Sequence, residues 1–237
     1  SIIKFFFRIN SRINDMVREE QLRLLKGLIN HLDNKTNVNA GGIIKTPADT
    51  YISEDRFEKE WNSFFLNHPQ IIGLSGDLPK PNTYLTTEDF GSPVLAVRND
   101  SGEFKAYANV CSHRGVTVES GERGEKKKFS CPFHGWTFDN QGKLVGYPKK
   151  DQFGAIDKDC YGLKELPALE KFGFLWVHPC TDGVINLDDL LGEKLLTEFE
   201  SWDFQSLVFA NEDKYETDMN WKLAIDTFGE TYHFSVL

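Results

Sequence analysis

Two short stretches constrain this 237-residue chain more than anything else in it: Cys111-Ser112-His113-Arg114-Gly115 and Cys131-Pro132-Phe133-His134-Gly135-Trp136. Each carries one thiol and one imidazole in a turn that ends on glycine, and 17 residues separate His113 from Cys131. Thiolate and imidazole are metal ligands, so four of them at this spacing demand a fold that brings two tight turns together. Glycine within two residues after each histidine lets the backbone turn its N–H groups towards sulfur. A lone Cys or His reads as a packed core residue, but four in this order do not.

Zinc is the first alternative, since Cys2His2 is a standard closed zinc set. A zinc finger pairs like with like, two Cys and then two His, whereas here each pair is mixed. A Rieske cluster places two Cys on one iron and two His on the other, and needs one of each from each of two loops. That is the order present. Neutral imidazole in place of thiolate leaves such a cluster less negative and raises its reduction potential. Unliganded core residues are the third reading. The other two cysteines, Cys160 and Cys180, lie outside the loops and are read as buried thiols.

The remainder of the chain sets these loops in context. Apolar residues make up 40% and aromatics 13%, enough for a packed core. The formal net charge of −9 argues against wrapping nucleic acid or binding an anionic membrane surface. The Lys126-Lys127-Lys128 run is read as a solvated loop. No apolar run reaches the ~20 residues of a membrane span, and a cytoplasmic location is expected. Residues 1–15 precede the first methionine, Met16, and are read as not native to the chain.

From 16 to 33 a stripe of Leu25, Leu28, Ile29 and Leu32 predicts a helix. A second helix is predicted over 54–67, capped by Ser53 and burying Phe57, Trp61, Phe64 and Phe65. Between about 70 and 180 short strands alternate with turns, including hairpins at Asn99-Asp100-Ser101-Gly102 and Asp139-Asn140-Gln141-Gly142. Further on, 186–200 reads as helix, 207–217 as a long strand, and Trp221 onward as helix again. Glu230 and His233, three apart, fall on one face of that last helix. The expected organisation is an N-terminal extension over 1–45, a β module with a leading helix over 46–180, and the start of a second α+β domain over 181–237.

The loop motifs, extended by Phe138-Asp139 and Gly142, resemble the Rieske domain of ring-hydroxylating oxygenase large (alpha) subunits. The resemblance runs more loosely from about Thr46 to Leu237. Respiratory Rieske proteins carry an extra cysteine in each loop, and here those positions hold other residues. The resemblance implies an α+β chain: a mostly antiparallel β Rieske domain, then the truncated start of a helix-grip catalytic domain. It implies a 2Fe-2S cluster on Cys111, His113, Cys131 and His134. It also implies that Asn220-Trp221-Lys222 opens the catalytic helix and that His233 is the first ligand of a mononuclear non-haem Fe(II). A second His would follow one position past Leu237 and a carboxylate far downstream, so the chain reads as an N-terminal part, inactive alone.

Glu230 is implied as the bridge between a cluster histidine of a neighbouring subunit and the iron. Many relatives carry Asp at that place, and Asn where this chain has Thr227. The implied partners are a reductase that draws on NAD(P)H, a ferredoxin, O2, a small organic substrate, and further copies in a homotrimer or a multiple of trimers. The implied activity is oxidoreductase chemistry: hydroxylation, dihydroxylation or dealkylation. A Rieske electron carrier without its own oxygenase site is the competing function.

Overall fold

The computed structural model describes residues 18–38, 41–153, 156–230 and 233. Residues 1–15, and Met16 at the start of the first predicted helix, lie outside the described residues. Eleven short strands carry the β module: β1 (Gln70–Leu74), β2 (Thr83–Thr87), β3 (Val94–Arg98), β4 (Phe104–Ala108), β5 (Arg123–Glu125), β6 (Lys128–Ser130), β7 (Thr137–Asp139), β8 (Leu144–Gly146), β9 (Glu165–Leu166), β10 (Ala168–Lys171) and β11 (Phe174–Val177). They form three antiparallel sheets, in the orders β5-β2-β3-β4-β9, β1-β11-β10 and β6-β7-β8.

The central sheet is apolar on both faces because it sits between two cores. Alternation along β3 sends Leu95 and Val97 to one core with Tyr84, Tyr107 and Phe138, and sends Val94 and Ala96 to the other with Leu85, Ala106 and Leu175. The run Val-Leu-Ala-Val is therefore continuous rather than alternating. Each fully buried Leu or Val here contributes about 1.5–3 kcal/mol from apolar burial. The first core also takes in Cys111, Cys131 and Trp136, so the two Cys-x-His and Cys-x-x-His turns are rooted in the packed interior.

Both predicted hairpin turns form, and by one device. The Asn99 side-chain oxygen accepts the N–H groups of Ser101 and Glu103, at 3.0 and 2.9 Å. Asp139 does the same for Gln141 and Lys143, both at 2.9 Å. Gly142 follows at φ +74°, and a side chain there would place its Cβ 2.5 Å from the Tyr107 ring. Glycine is required at that turn on both counts.

Several expectations are corrected. The first helix forms over Arg18–Asn34, but its stripe of Leu25, Leu28, Ile29 and Leu32 is exposed, Leu32 by 77%. Ser53 caps the second helix through its Oγ and the Arg56 N–H. That helix runs Glu54–Glu60 and widens to a π turn over Trp61–Leu66, with Trp61 and Phe65 half-buried but Phe57 and Phe64 exposed. No described strand pairs with 207–217, so the predicted strand is an irregular segment. Its apolar residues, Leu207 to Ala210, are followed by a polar run, and no described neighbouring strand pairs with its backbone, without which an extended segment is not a strand.

The lysine run is not a plain loop. Lys128 begins β6, and Lys126 reaches the buried Glu119 carboxylate at 2.5 Å. Neither Cys160 nor Cys180 is fully buried: Cys160 is exposed with its thiol on Asp157, and Cys180 is half-buried with its thiol on the Leu66 carbonyl. The predicted 186–200 helix forms as Leu187–Ser201, with a kink at Gly192, where φ is +70°. The last helix ends at Phe228, closed by the Gly229 N–H on the Ile225 carbonyl. Glu230 and His233 therefore lie beyond it rather than on its face.

Candidate metal centre

The two ligand loops are built alike. In the first, the Cys111 N–H donates to the Val116 carbonyl and the Gly115 N–H to the Cys111 carbonyl, both at 2.8 Å. In the second, the Cys131 N–H donates to the Trp136 carbonyl at 2.8 Å and the Gly135 N–H to the Cys131 carbonyl at 2.9 Å. Gly115 and Gly135 have φ of +76° and +67°, which no branched side chain adopts without strain. Each loop closes on an antiparallel pair, Val110 with Thr117 and Ser130 with Thr137. The chain thus makes the same turn twice and presents Cys and His from each copy.

The four side chains are sorted by depth. Cys111 and Cys131 are 2% and 4% exposed, with their thiols adjacent, while both imidazoles stand further out, their rings 4.8 Å apart and steeply inclined. Burial pushes the Cys111 thiol up, and the neighbouring Cys131 adds to this, while the N–H groups of His113 and Arg114 aimed at its sulfur pull it down. Burial also lowers His113, helped by His134 and Arg114, which favours the neutral imidazole that binds metal. Among the described residues no three His, Cys, Asp or Glu side chains are grouped around one point. Two thiols inside and two imidazoles outside is a donor set for two irons, and the residues fit a 2Fe-2S cluster.

The surroundings hold the loops in place. The Trp136 ring lies parallel to His113 at 4.8 Å, edged by Tyr161, Tyr147 and Phe153, and its buried indole N–H has no hydrogen-bond partner. The Ser112 hydroxyl donates to the Tyr161 carbonyl at 2.7 Å, pinning the first loop, and Pro148 packs over Gly135 of the second. Asn109 exchanges two hydrogen bonds with the Glu119 backbone and so ties the first loop across its base. Sequence reading missed Ser112, Asn109, Tyr161 and Phe153 as supports. Their contacts span up to 49 residues and leave no local signal.

Glu230 and His233 form a second pair, with Oε1 2.6 Å from Nδ1. Tyr232, between them, and residues 234–237 lie outside the described residues. A cleft of about 900 Å³ lies elsewhere, between the 18–34 and 187–201 helices, lined by Glu19, Glu20, Arg23, Lys194 and Glu198 among others. It holds none of the predicted site residues. No helix among the described residues is long and apolar enough to cross a membrane.

Comparison with known proteins is consistent along the chain. Residues 68–170 match the Rieske 2Fe-2S domain, and residues 204–237 match the ring hydroxylating alpha subunit (catalytic domain). Toluate 1,2-dioxygenase subunit alpha of Pseudomonas putida is 30% identical over 204 residues, covering 83% of this chain and 45% of that protein. The carnitine monooxygenase oxygenase subunit of Acinetobacter baumannii is 29% identical, covering 79% and 50%. Among solved structures, the apo form of a quaternary ammonium Rieske monooxygenase superposes with a TM-score of 0.70 at 27% identity, over 80% of this chain and 55% of that one. The chain spans about half the length of the curated relatives it matches. With a Rieske domain followed by alpha-subunit catalytic sequence, the chain is similar to the large subunits of Rieske oxygenases over the matched residues.

Proposed function

We propose that this chain carries the electron-entry module and the first part of the catalytic domain of a Rieske non-haem iron oxygenase. Cys111 and Cys131 would hold one iron of the cluster, and His113 and His134 the other. The domain division is placed near residue 180, with the Rieske module over 46–180. The observation that carries this reading is the twin-loop geometry, which separates two buried thiols from two outward imidazoles.

Bound cofactors would supply one-electron transfer at the cluster and O2 activation at a mononuclear Fe(II). The protein's own groups set the conditions. The buried loops exclude water from the thiolates, and the N–H groups of His113 and Arg114 stabilise charge on Cys111. Glu230 Oε1 lies 2.6 Å from His233 Nδ1, the kind of carboxylate contact that orients an imidazole for metal binding. Glu230 would also form the bridge to a cluster histidine of a neighbouring subunit, in a homotrimer acting in the cytoplasm. Electrons would come from NAD(P)H through a reductase, directly or by way of a ferredoxin, and the substrate would be a small organic molecule that is hydroxylated, dihydroxylated or dealkylated.

The test is spectroscopy and metal analysis of the purified protein. Equal iron and acid-labile sulfide, with the EPR signal of a reduced Rieske centre, is the expected result. Cys131→Ser should lose both. A colourless, EPR-silent protein that binds zinc would overturn the reading.

A further inference from the structure

We infer that Glu60 is a positioning residue for the second metal site, acting through a strut formed by residues 49–66. This rests on the role of Glu230 and His233 proposed above. The Trp221–Phe228 helix leads directly into that pair, has only 8 residues, and buries none of them fully. A helix so short is unstable by itself, so its place is set by what touches it.

What touches it is the strut. The Glu60 carboxylate accepts the Trp221 indole N–H at 3.2 Å and also takes the Lys222 ammonium. Both charged side chains are well shielded, Glu60 at 14% exposure and Lys222 at 17%. The rings of Phe64 and Phe65 meet the Trp221 face edge-on. One turn further, the Tyr51 hydroxyl donates to Asp226 at 2.7 Å.

The other side of the strut grips the Rieske module. Trp61, stacked between Phe57 and Phe65, lies against Gly91 in the turn after β2. The side-chain amide of Gln70, on β1, donates to the carbonyls of Phe64, Phe65 and His68 and closes the end of the strut. One short element therefore fixes the distance between the β sheets and the helix that delivers Glu230 and His233. The Lys222–Glu60 pair is the latch, because removing the carboxylate strands a shielded ammonium at the helix start.

The experiment is hydrogen exchange on the cluster-loaded protein, with wild type, Glu60→Gln, Tyr51→Phe and the charge swap Glu60→Lys/Lys222→Glu. Glu60→Gln should speed exchange at the amides of Ile225 to Gly229 by roughly tenfold while Leu95 and Ala106 stay protected. Tyr51→Phe should give a smaller rise in the same amides and serves as the readout if Glu60→Gln does not fold. The swap should restore most of that protection, short of the part held by the Trp221 indole N–H, which an ammonium cannot accept. In a protein with the whole catalytic domain, Glu60→Gln should lower mononuclear iron per Rieske centre, with the Rieske EPR signal unchanged, and the swap should return it. Unchanged exchange at 225–229, or a uniform rise across the β sheets, overturns the strut. If wild type binds no mononuclear iron, the proposed function falls, while the exchange data still decide whether the strut exists.

Discussion

The central β sheet and the stretch from Phe204 to Glu230 are held in opposite ways. The sheet is gripped by area: Leu95, Val97, Val94 and Ala96 are buried on two faces, and no single contact dominates. The later stretch has no fully buried residue and is gripped at points. Arg123 reaches it from β5, donating to Glu212 and lying 4.2 Å from the Phe209 ring, with Asp77 as its second carboxylate. Gly76 and Gly173 let the 204–208 backbone approach so closely that a Cβ on either would overlap it. Area-based holding degrades gradually, whereas point contacts fail one at a time and are sensitive to salt and to single substitutions.

The largest expected effect breaks the sheet side of this contrast. Cys131→Ser should remove the cluster and leave little stable β module, because ligation and folding are coupled; loss of both visible absorbance and the cooperative thermal transition would show it. Leu95→Ala should cost the sheet about 2–5 kcal/mol, read as a lower urea midpoint, with no selective cleavage in 204–215. Gly76→Ala should do the reverse. Its Cβ would fall 2.0 Å from the Leu207 carbonyl oxygen, so the segment must lift away, and limited proteolysis within 204–215 should quicken while the sheet's midpoint moves little. Arg123→Ala should release the same segment more mildly, by about 1–2 kcal/mol, and high salt should mimic part of the effect in wild type.

The smallest expected effect is in acid. Burial alone would raise Glu119, but the Lys126 ammonium and the Gly121 N–H outweigh it and bring its carboxyl below the ordinary value near 4.5. Arg98, with Ser75, holds Glu170 below that value as well, against partial burial. Both groups bind protons more readily unfolded than folded, so their stabilisation is full above about pH 4.5 and is lost as pH falls through their lowered folded values. Urea midpoints at pH 6 and pH 4 would check this, and Lys126→Met should flatten the difference.

How much of this was legible in the sequence depends on how local the cause is. The turns at Cys111–Gly115 and Cys131–Gly135, each closing on a glycine, and the Asn99 and Asp139 turns are set by residues within five positions of one another. They could be read, and the structure has them. The exposed Leu25 to Leu32 stripe carries the right periodicity and 207–217 opens on an apolar run, but such a pattern states only that a face is apolar. It does not say that anything described covers it. Glu60 looks like one more acid on an exposed helix, because its partner Lys222 lies 162 residues away. Likewise Ser112 meets Tyr161 only after the chain has returned through β8.

The doubled turn at Cys111 and Cys131 has a consequence for assembly. Under the proposed ligation each loop offers one ligand to each iron, so neither loop alone can complete the coordination of even one metal. Cluster loading then behaves as a logical AND of two hairpins: both must be closed and abutting before either iron is secured. A half-built site does not become a smaller version of the site. It has no metal to retain, and the module has no partly loaded state in which to rest.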